Sequence, residues 1–153
     1  MTETLTPPAV HRNLDAACAS VVSEIARTDS KASLLLAFNG AVLAGLASVA
    51  DKDLPAATKV IGTLTVLALG IAAVLLLLVV RPRLREDDRA AFPHWAQLDE
   101  DGIRSCMAGD SRATRIRVLS SLAVRKYLHL RRAVDLSLAA LALLALAAAS
   151  LAL

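Results

Sequence analysis

The chain has 153 residues, of which 56% are hydrophobic and only 3% aromatic, and its mean hydropathy is +0.57. It carries 17 Lys and Arg against 14 Asp and Glu, and these charges are missing from three long stretches. A soluble domain wraps one apolar core in polar surface, and this composition leaves too little polar chain for that. The composition excludes a disordered chain, a disulfide-rich secreted module and a typical soluble enzyme, and it favours a small integral membrane protein.

The three uncharged stretches are residues 32–50, 60–80 and 136–153, and none of them contains an ionisable side chain. A helix crosses the roughly 30 Å hydrocarbon core of a bilayer with about 20 apolar residues. The sequence therefore predicts three transmembrane helices. The first begins only at residue 32 and follows a charged segment, so we expect it to be retained rather than cleaved as a signal peptide.

Lys and Arg are concentrated on one side of these stretches. Residues 81–132 hold 12 basic and 7 acidic side chains, whereas residues 51–59 hold two lysines offset by two aspartates. Cytoplasmic segments of membrane proteins carry an excess of Lys and Arg. We therefore predict a protein of the inner (cytoplasmic) membrane with its N-terminus and residues 81–132 inside, and with residues 51–59 and its C-terminus outside. This anchoring explains most of the arginines, so the net charge of +3 does not indicate nucleic-acid binding.

The segment before the first span has the pattern of a helix. Its apolar positions recur at spacings of four and three, and Pro7-Pro8 marks the limit of the helix on its N-terminal side. These positions are Leu14, Cys18, Val21, Ile25 and Thr28. We predict a cytosolic amphipathic helix over residues 9–31 that continues into the first span and packs against a partner helix.

Two further helices are predicted on the cytosolic side. One covers residues 94–107, with apolar contacts from Trp95, Leu98, Ile103 and Met107. Gly109-Asp110-Ser111 then forms a break and an N-cap, and no Pro or Gly follows Ser111. We expect one long helix from Ser111 through the third span, with its cytosolic packing stripe formed by Ile116, Leu119, Ala123, Tyr127, Leu130 and Val134. The fold class is thus an all-α integral membrane protein, which we expect to form one domain over residues 1–153.

Catalytic and metal-binding patterns are absent from the sequence. It contains no Gly-rich phosphate loop, no Cys/His zinc spacing and no His-Glu-x-x-His. Cys18 and Cys106 are both predicted to be cytosolic, where thiols stay reduced, so we interpret them as packing residues. The run Asp99–Gly102 lacks the later ligands of a calcium loop and is interpreted as a solvated turn. We expect no enzymatic activity, no catalytic residue, no metal and no bound cofactor.

A few polar residues lie within or beside the spans. Asn39 lies near mid-depth of the first span, where we favour a packing hydrogen bond over pore lining, and Gly40 with Ala44 and Ser48 forms a small-residue face that suits close helix contact. Asp135, at the base of the third span, is expected to pair with Arg131 or Arg132.

A group of charges lies just below the spans. Asp29 and Lys31 are predicted to face the same aqueous layer as Arg125, Lys126 and Tyr127. Such a cluster at a membrane surface is typical of an inter-helix clamp, a headgroup contact or an anionic-ligand site. The sequence leaves these alternatives open, and we favour the first two.

Two segments resemble a known family. Residues 26–40 read Ala-Arg-Thr-Asp-Ser-Lys-Ala-Ser-Leu-Leu-Leu-Ala-Phe-Asn-Gly. This run resembles the signature that opens the transmembrane effector domain of bacterial Pycsar antiphage systems, where an Asp-x-Lys-Ala element leads into an apolar helix interrupted by Asn-Gly. Arg125-Lys126-Tyr127 followed by Arg131-Arg132 is similar to a second, shorter element of that family. The order of two spans, a cytosolic stretch and a further span matches the family's layout.

The resemblance implies a membrane effector of antiphage defence. Such an effector is activated by cyclic UMP or cyclic CMP, made by a pyrimidine cyclase of the same system, and it damages the inner membrane so that the infected cell stops growing or dies. The candidate nucleotide contacts are Lys31, Arg125, Lys126, Tyr127 and Arg132. The candidate residues for bundle arrangement or gating are Asp29, Asn39, Gly40 and Asp135.

Other features bear on how such an effector would act. No separate nucleotide-binding domain is recognisable, so binding would fall to residues 81–132 or to another chain. No span carries a charged stripe, so we expect action as a homo-oligomer or through rearranged bundles. The alternative function is a non-enzymatic membrane anchor or scaffold that binds a soluble partner. A small transporter subunit fits less well, because no span has the paired ionisable residues of a substrate route.

Overall fold

The computed structural model describes residues 7–53, 55–81, 94, 96–107 and 109–152, and among these residues there are helices and no strand. The helices are α1 (Pro7–Ala47), α2 (Ala56–Val80), α3 (Glu100–Met107) and α4 (Arg112–Ala152). By length and composition, α1, α2 and α4 can each cross a membrane. The predicted fold class, with three spanning helices and a long C-terminal helix, is confirmed.

Helix α1 runs without interruption from the predicted cytosolic segment into the predicted first span. It begins at Pro7, whose fixed φ and missing N–H suit a first helical position. It ends at Ala47, three residues before the predicted boundary. There the backbone tightens, because the N–H of Val49 donates to the carbonyl of Leu46 (3.2 Å) and that of Ala50 to Ala47 (3.3 Å). The charged loop that begins at Asp51 follows at once.

Helix α2 begins at Ala56, directly after Pro55 and four residues before the predicted span. The prediction marked only the uncharged window, and the helix includes one polar turn before it. The N–H of Lys59 already donates to the carbonyl of Pro55 (3.1 Å). The other polar residue of that turn, Thr58, is buried.

Helix α3 is shorter than predicted, and the expectation of a helix from residue 94 is wrong over residues 96–99. Asp99 begins α3 instead, because its Oδ1 accepts a hydrogen bond from the N–H of Gly102 (2.8 Å). A Cβ at Gly102 would lie 2.9 Å from that same oxygen, so glycine suits this cap. The run interpreted as a solvated turn is therefore the start of a helix. Trp95 lies outside the described residues, as does the side chain of Met107.

Helix α4 begins at Arg112, one residue after the predicted start. The carbonyl of Ser111 accepts the first helical hydrogen bond, from the N–H of Arg115 (2.9 Å). The Oδ1 of Asp110 accepts the N–H of Arg112 (3.1 Å). The predicted break and cap at residues 109–111 are thus confirmed, and α4 then continues to Ala152.

The chain folds into two compact units. Unit 1 comprises Met1–Arg27 and Pro82–Arg125, and unit 2 comprises Thr28–Arg81 and Lys126–Leu153. The core of unit 2 is a cluster of buried residues from α1, α2 and α4, namely Ala32, Ala72, Leu76, Val79, Leu130 and Ala133. Three of these are alanines with no exposed surface, which lets the helix backbones approach closely.

The contacts of unit 2 fix the directions of its helices. The start of α2 lies beside the end of α4, since the hydroxyl oxygens of Thr58 and Ser150 are 3.3 Å apart. The end of α2, at Val79, shares the core cluster with Leu130 near the start of the third span. Helix α2 is therefore antiparallel to α4. Helix α1 is parallel to α4, because its contacts advance along both helices together.

On each of α1 and α4, one series of non-exposed positions recurs at alternating spacings of four and three, the pattern of a coiled-coil seam. In α1 they are Leu14, Cys18, Val21, Ile25, Thr28, Ala32, Leu35, Asn39, Val42 and Leu46. In α4 they are Arg112, Ile116, Leu119, Ala123, Lys126, Leu130, Ala133, Ser137, Ala140, Leu144 and Ala147. The predicted α1 stripe is confirmed.

The predicted α4 stripe is wrong at Tyr127. It assigned Tyr127 to the packed face, and Tyr127 is 40% exposed. Lys126 takes its place in the seam, whereas the other two predicted residues are confirmed, since Leu130 is buried in the core cluster and Val134 packs against it. The prediction followed apolar residues only, and a lysine occupies the seam because α1 supplies a carboxylate for it.

Candidate functional site in the helix seam

The seam of unit 2 contains an ion pair between α1 and α4. The Nζ of Lys126 donates to both carboxylate oxygens of Asp29, at 2.6 and 2.8 Å. The Lys126 side chain is only 11% exposed, and that of Asp29 is 35% exposed. A charge withdrawn from water requires a charged partner with good geometry. The two residues therefore form a neutral clamp, and Lys126 is not a free cation in this arrangement.

A second polar contact lies deeper in the same seam. Asn39 and Ser137 are both buried, and Asn39 Nδ2 donates to Ser137 Oγ at 3.0 Å. The single hydroxyl proton of Ser137 has two acceptors within reach, Asn39 Oδ1 at 3.1 Å and the carbonyl of Ala133 at 2.9 Å. Every buried side-chain nitrogen and oxygen among the described residues has a partner. Asn39 thus makes the kind of packing contact that we favoured over pore lining.

The third polar contact is at the far end of the bundle. Ser150 Oγ donates to the carbonyl of Ala147 (2.8 Å), so the Thr58 hydroxyl is the donor in the 3.3 Å contact between Thr58 and Ser150. From Lys126 to Ser150, α4 advances about 36 Å. Polar contacts therefore join α4 to the other two helices near the start, the middle and the end of the apolar region.

Unit 1 contains a separate charged cluster centred on Arg112. The guanidinium donates to Asp15 Oδ1 (3.0 Å), to Asp110 Oδ1 (3.0 Å) and to the Nδ1 of His11. The side-chain and backbone hydrogen bonds from Arg112 lower the pKa of the Asp110 carboxyl below its usual range. Asp15 and Arg112 are 97 positions apart, the same offset as Asp29 and Lys126 in unit 2. Each unit thus has one acidic residue of α1 paired with one basic residue of α4.

Comparison with protein families gives a match over most of the chain. A family model described as the Pycsar effector protein domain matches residues 13–153. The chain belongs to this family. The resemblance seen in the sequence is confirmed, and membership makes the chain a membrane effector of antiphage defence from a system that includes a cyclase. Neither the curated proteins nor the solved structures contain a match to it.

The structure divides the predicted nucleotide contacts of this Pycsar effector by their surroundings. Lys31, Arg125, Tyr127 and Arg132 are exposed. Lys126 is paired with Asp29 in the seam. Lys126 must release its carboxylate before it can meet an anionic group.

The residues predicted to arrange or gate the bundle also fall into two groups, those in the seam and those that are exposed. Asp29 and Asn39 lie in the seam, as described above. Gly40 is exposed, and a Cβ built on it would meet nothing within 4 Å, so this glycine takes no part in the contact of Asn39. Asp135 is exposed, and within the described part of the chain it forms no ion pair with Arg131 or Arg132.

Several residues of these contacts were not identified from the sequence, among them Asp15, Thr58, Arg112, Ser137 and Ser150. A serine or threonine in an apolar run gives no signal by itself. The spacing of four and three does give one, because continuing it from Lys126 through Leu130 and Ala133 reaches Ser137. No group of three or more residues able to hold a metal ion occurs among the residues searched, which are the described ones.

Proposed function

We propose that this Pycsar effector responds to a cyclic pyrimidine nucleotide, cyclic UMP or cyclic CMP, and impairs the inner membrane, so that an infected cell stops growing or dies. The observation that carries the proposal is the family match over residues 13–153. The three helices long enough to span a membrane support it, because an effector that impairs a membrane must reach the bilayer. The effector acts without catalysis, and the cyclase of its system supplies the nucleotide.

We also propose how the nucleotide is bound. Its phosphodiester carries one negative charge, for which Arg and Lys are suitable partners. The contacts are Lys31, Arg125, Lys126, Tyr127 and Arg132. Lys126 joins them when the phosphate replaces the Asp29 carboxylate, and this exchange weakens the clamp between α1 and α4. Ligand binding is thereby linked to the packing of unit 2.

The packing of the seam supports the view that a single chain in this arrangement does not permeabilise the membrane. Its interior is filled by leucine, valine and alanine, and its polar groups are satisfied by each other. A closed apolar interior offers no route for ions. We therefore propose that the effector permeabilises the membrane as a homo-oligomer or by rearranging its bundles, with the contacts of Asp29 and Asn39 among those that change.

The direct test is dye release from liposomes that contain the purified, folded protein. Cyclic UMP, cyclic CMP and cyclic AMP are added separately, the last as a purine control. Release with a pyrimidine nucleotide only is the expected result. Release with all three or with none, from inserted protein, contradicts sensing by this chain alone. Capture of a soluble partner by a non-leaking protein would then favour the anchor or scaffold function.

Charge reversal tests the proposed contacts in the same assay. Lys31→Glu and Arg125→Glu should each reduce nucleotide-triggered release about tenfold, since each removes an attraction and adds a repulsion. The matched control is Lys52→Glu, which changes an exposed lysine in the loop between α1 and α2. Normal release from well-expressed Lys31→Glu and Arg125→Glu proteins would exclude both residues from nucleotide binding.

A further inference from the structure

The surface of unit 2 carries exposed cations at one level of the bundle. The contacts of Asp29 with Lys126 and of Asn39 with Ser137 place Lys31 of α1 beside the turn of α4 that precedes Arg131. Thr58 lies beside Ser150 and α2 is antiparallel to α4, so Arg81 at the end of α2 lies near that same turn. Lys31 precedes Ala32, Arg81 comes two residues after Val79, and Arg131 and Arg132 lie between Leu130 and Ala133. All four side chains are exposed. We call Lys31, Arg81, Arg131 and Arg132 the basic belt.

The belt keeps its positive charge. None of its four members forms an ion pair with a residue that the structure describes. Lys126, a further cation of unit 2 close to this level, is neutralised by Asp29. Within the described residues of unit 2, the exposed carboxylate of Asp135 offsets one of the four belt charges, which leaves an excess of three.

The other end of unit 2 is balanced. There the exposed residues Lys52 and Lys59 are matched by Asp51 and Asp53, which are also exposed. The excess of positive charge is therefore confined to the belt end of unit 2, and the lysines at the other end can serve as control positions.

The belt lies where a bilayer has its phosphates. The uncharged run of α2 ends at Val80, and the uncharged run of α4 begins after Asp135. Each of these runs is long enough to cross a hydrocarbon core of about 30 Å, so the belt residues come at the edge of that core. Adjacent guanidinium groups such as those of Arg131 and Arg132 can each donate two hydrogen bonds to phosphate oxygens. We propose that the basic belt binds the phosphate groups of anionic phospholipids, and that these lipids stabilise unit 2.

The test compares lipids that differ only in headgroup charge. The full-length protein in neutral detergent is titrated with phosphatidylglycerol or phosphatidylcholine. Bound lipids are counted by native mass spectrometry, and the melting temperature is recorded. We expect retained phosphatidylglycerol and a raised melting temperature, with little effect of phosphatidylcholine. Equal retention of the two lipids by the wild-type protein overturns the proposal, whatever the variants do.

Variants locate the site without touching the seam. The double variant Arg81→Gln with Arg131→Gln removes two belt cations that are not among the proposed nucleotide contacts. It should weaken phosphatidylglycerol binding about tenfold, because each cation near an anionic surface adds to the attraction. The matched control, Lys52→Gln with Lys59→Gln, removes two cations from the balanced end and should bind as the wild type does. Equal weakening in both double variants overturns the assignment to the belt.

A cyclic nucleotide also carries a phosphodiester, so cyclic UMP is tested in the same titration. If it displaces phosphatidylglycerol and raises the melting temperature in phosphatidylcholine alone, the belt is a nucleotide site and the lipid assignment is wrong. If it leaves lipid retention unchanged, the lipid assignment stands. The titration measures lipid binding and not dye release, so it can be interpreted even if the proposed function is wrong.

Discussion

Lys126 occupies a seam position that an aliphatic residue would ordinarily fill. Its stem packs between helices while its ammonium group reaches the Asp29 carboxylate, so the side chain is both a packing residue and a charge. A pair of this kind contributes little net stability over apolar side chains of the same shape, but loss of one partner leaves the other charge stranded. The cost of breaking the pair should therefore exceed its net benefit.

The substitution Asp29→Asn tests this asymmetry. It leaves the Lys126 ammonium nearly buried beside a neutral amide, and we expect a loss of about 1–2 kcal/mol in the free energy of unfolding. The measurement is the melting temperature of the purified protein in detergent. Adding Lys126→Met, which keeps an unbranched side chain and removes the charge, should restore most of the lost stability.

The matched comparison is the single variant Lys126→Met. This variant leaves Asp29 without its partner, but the Asp29 side chain is 35% exposed and can be hydrated. Lys126→Met should therefore lower the free energy of unfolding by less than Asp29→Asn does. If the effects of the two single variants simply add in the double variant, the residues are not coupled and the clamp does not exist in solution.

The sequence placed Asp29 and Lys126 in one group of charges, but it could not show that they pair. Several cations and one carboxylate were available at that level, and only the register between α1 and α4 selects among them. Asn39 was identified because an amide in an apolar span needs a partner. Ser137 was not, because a serine there is compatible with a hydrogen bond to its own helix, which it also makes.

At the scale of the helices, composition and periodicity predicted which segments are helical, and local hydrogen bonds decided where they end. The uncharged windows located three spanning helices, since charge is costly in hydrocarbon. The bounds depended on features outside those windows, such as Pro55 before α2 and Asp99 before α3. The packed face of α4 was missed where a polar side chain entered the seam.

The antiparallel register of α2 and α4 can be tested by a disulfide. With Cys18 and Cys106 replaced by serine, Thr58→Cys and Ser150→Cys should be joined readily by a mild oxidant, because the oxygens they replace are 3.3 Å apart. The measurement is the loss of free thiols in membranes, read by alkylation and a mass shift.

The control pair for that disulfide is Thr63→Cys with Ser150→Cys. Thr63 is exposed, and it lies five residues further along α2, which is about 7.5 Å along the axis and on another face. It should remain reduced under the same conditions. Comparable oxidation of both pairs would mean that α2 slides or rotates against α4, and the register described here would be wrong.

At the scale of the whole molecule, three spanning helices predict that residues before the first and after the third lie on opposite sides of the membrane. The distribution of Lys and Arg predicts one of the two orientations, with residues 81–132 in the cytoplasm. That orientation also places the exposed cations Lys31 and Arg132 where a nucleotide made inside the cell can reach them. Topology is therefore a condition of the proposed function.

Reporter fusions test the orientation. Alkaline phosphatase, which is active only outside the inner membrane, should be active when fused after Leu153 and inactive when fused after Arg85. Green fluorescent protein, which becomes fluorescent in the cytoplasm, should give the reverse pattern at the same two positions. The two reporters control for expression, since each position must be positive with one of them. Cytoplasmic signals at both positions would mean an even number of crossings between them, and α4 would then not span the membrane. The opposite pattern at both positions would keep three spans and invert them, which would leave the proposed nucleotide contacts on the wrong side for their ligand.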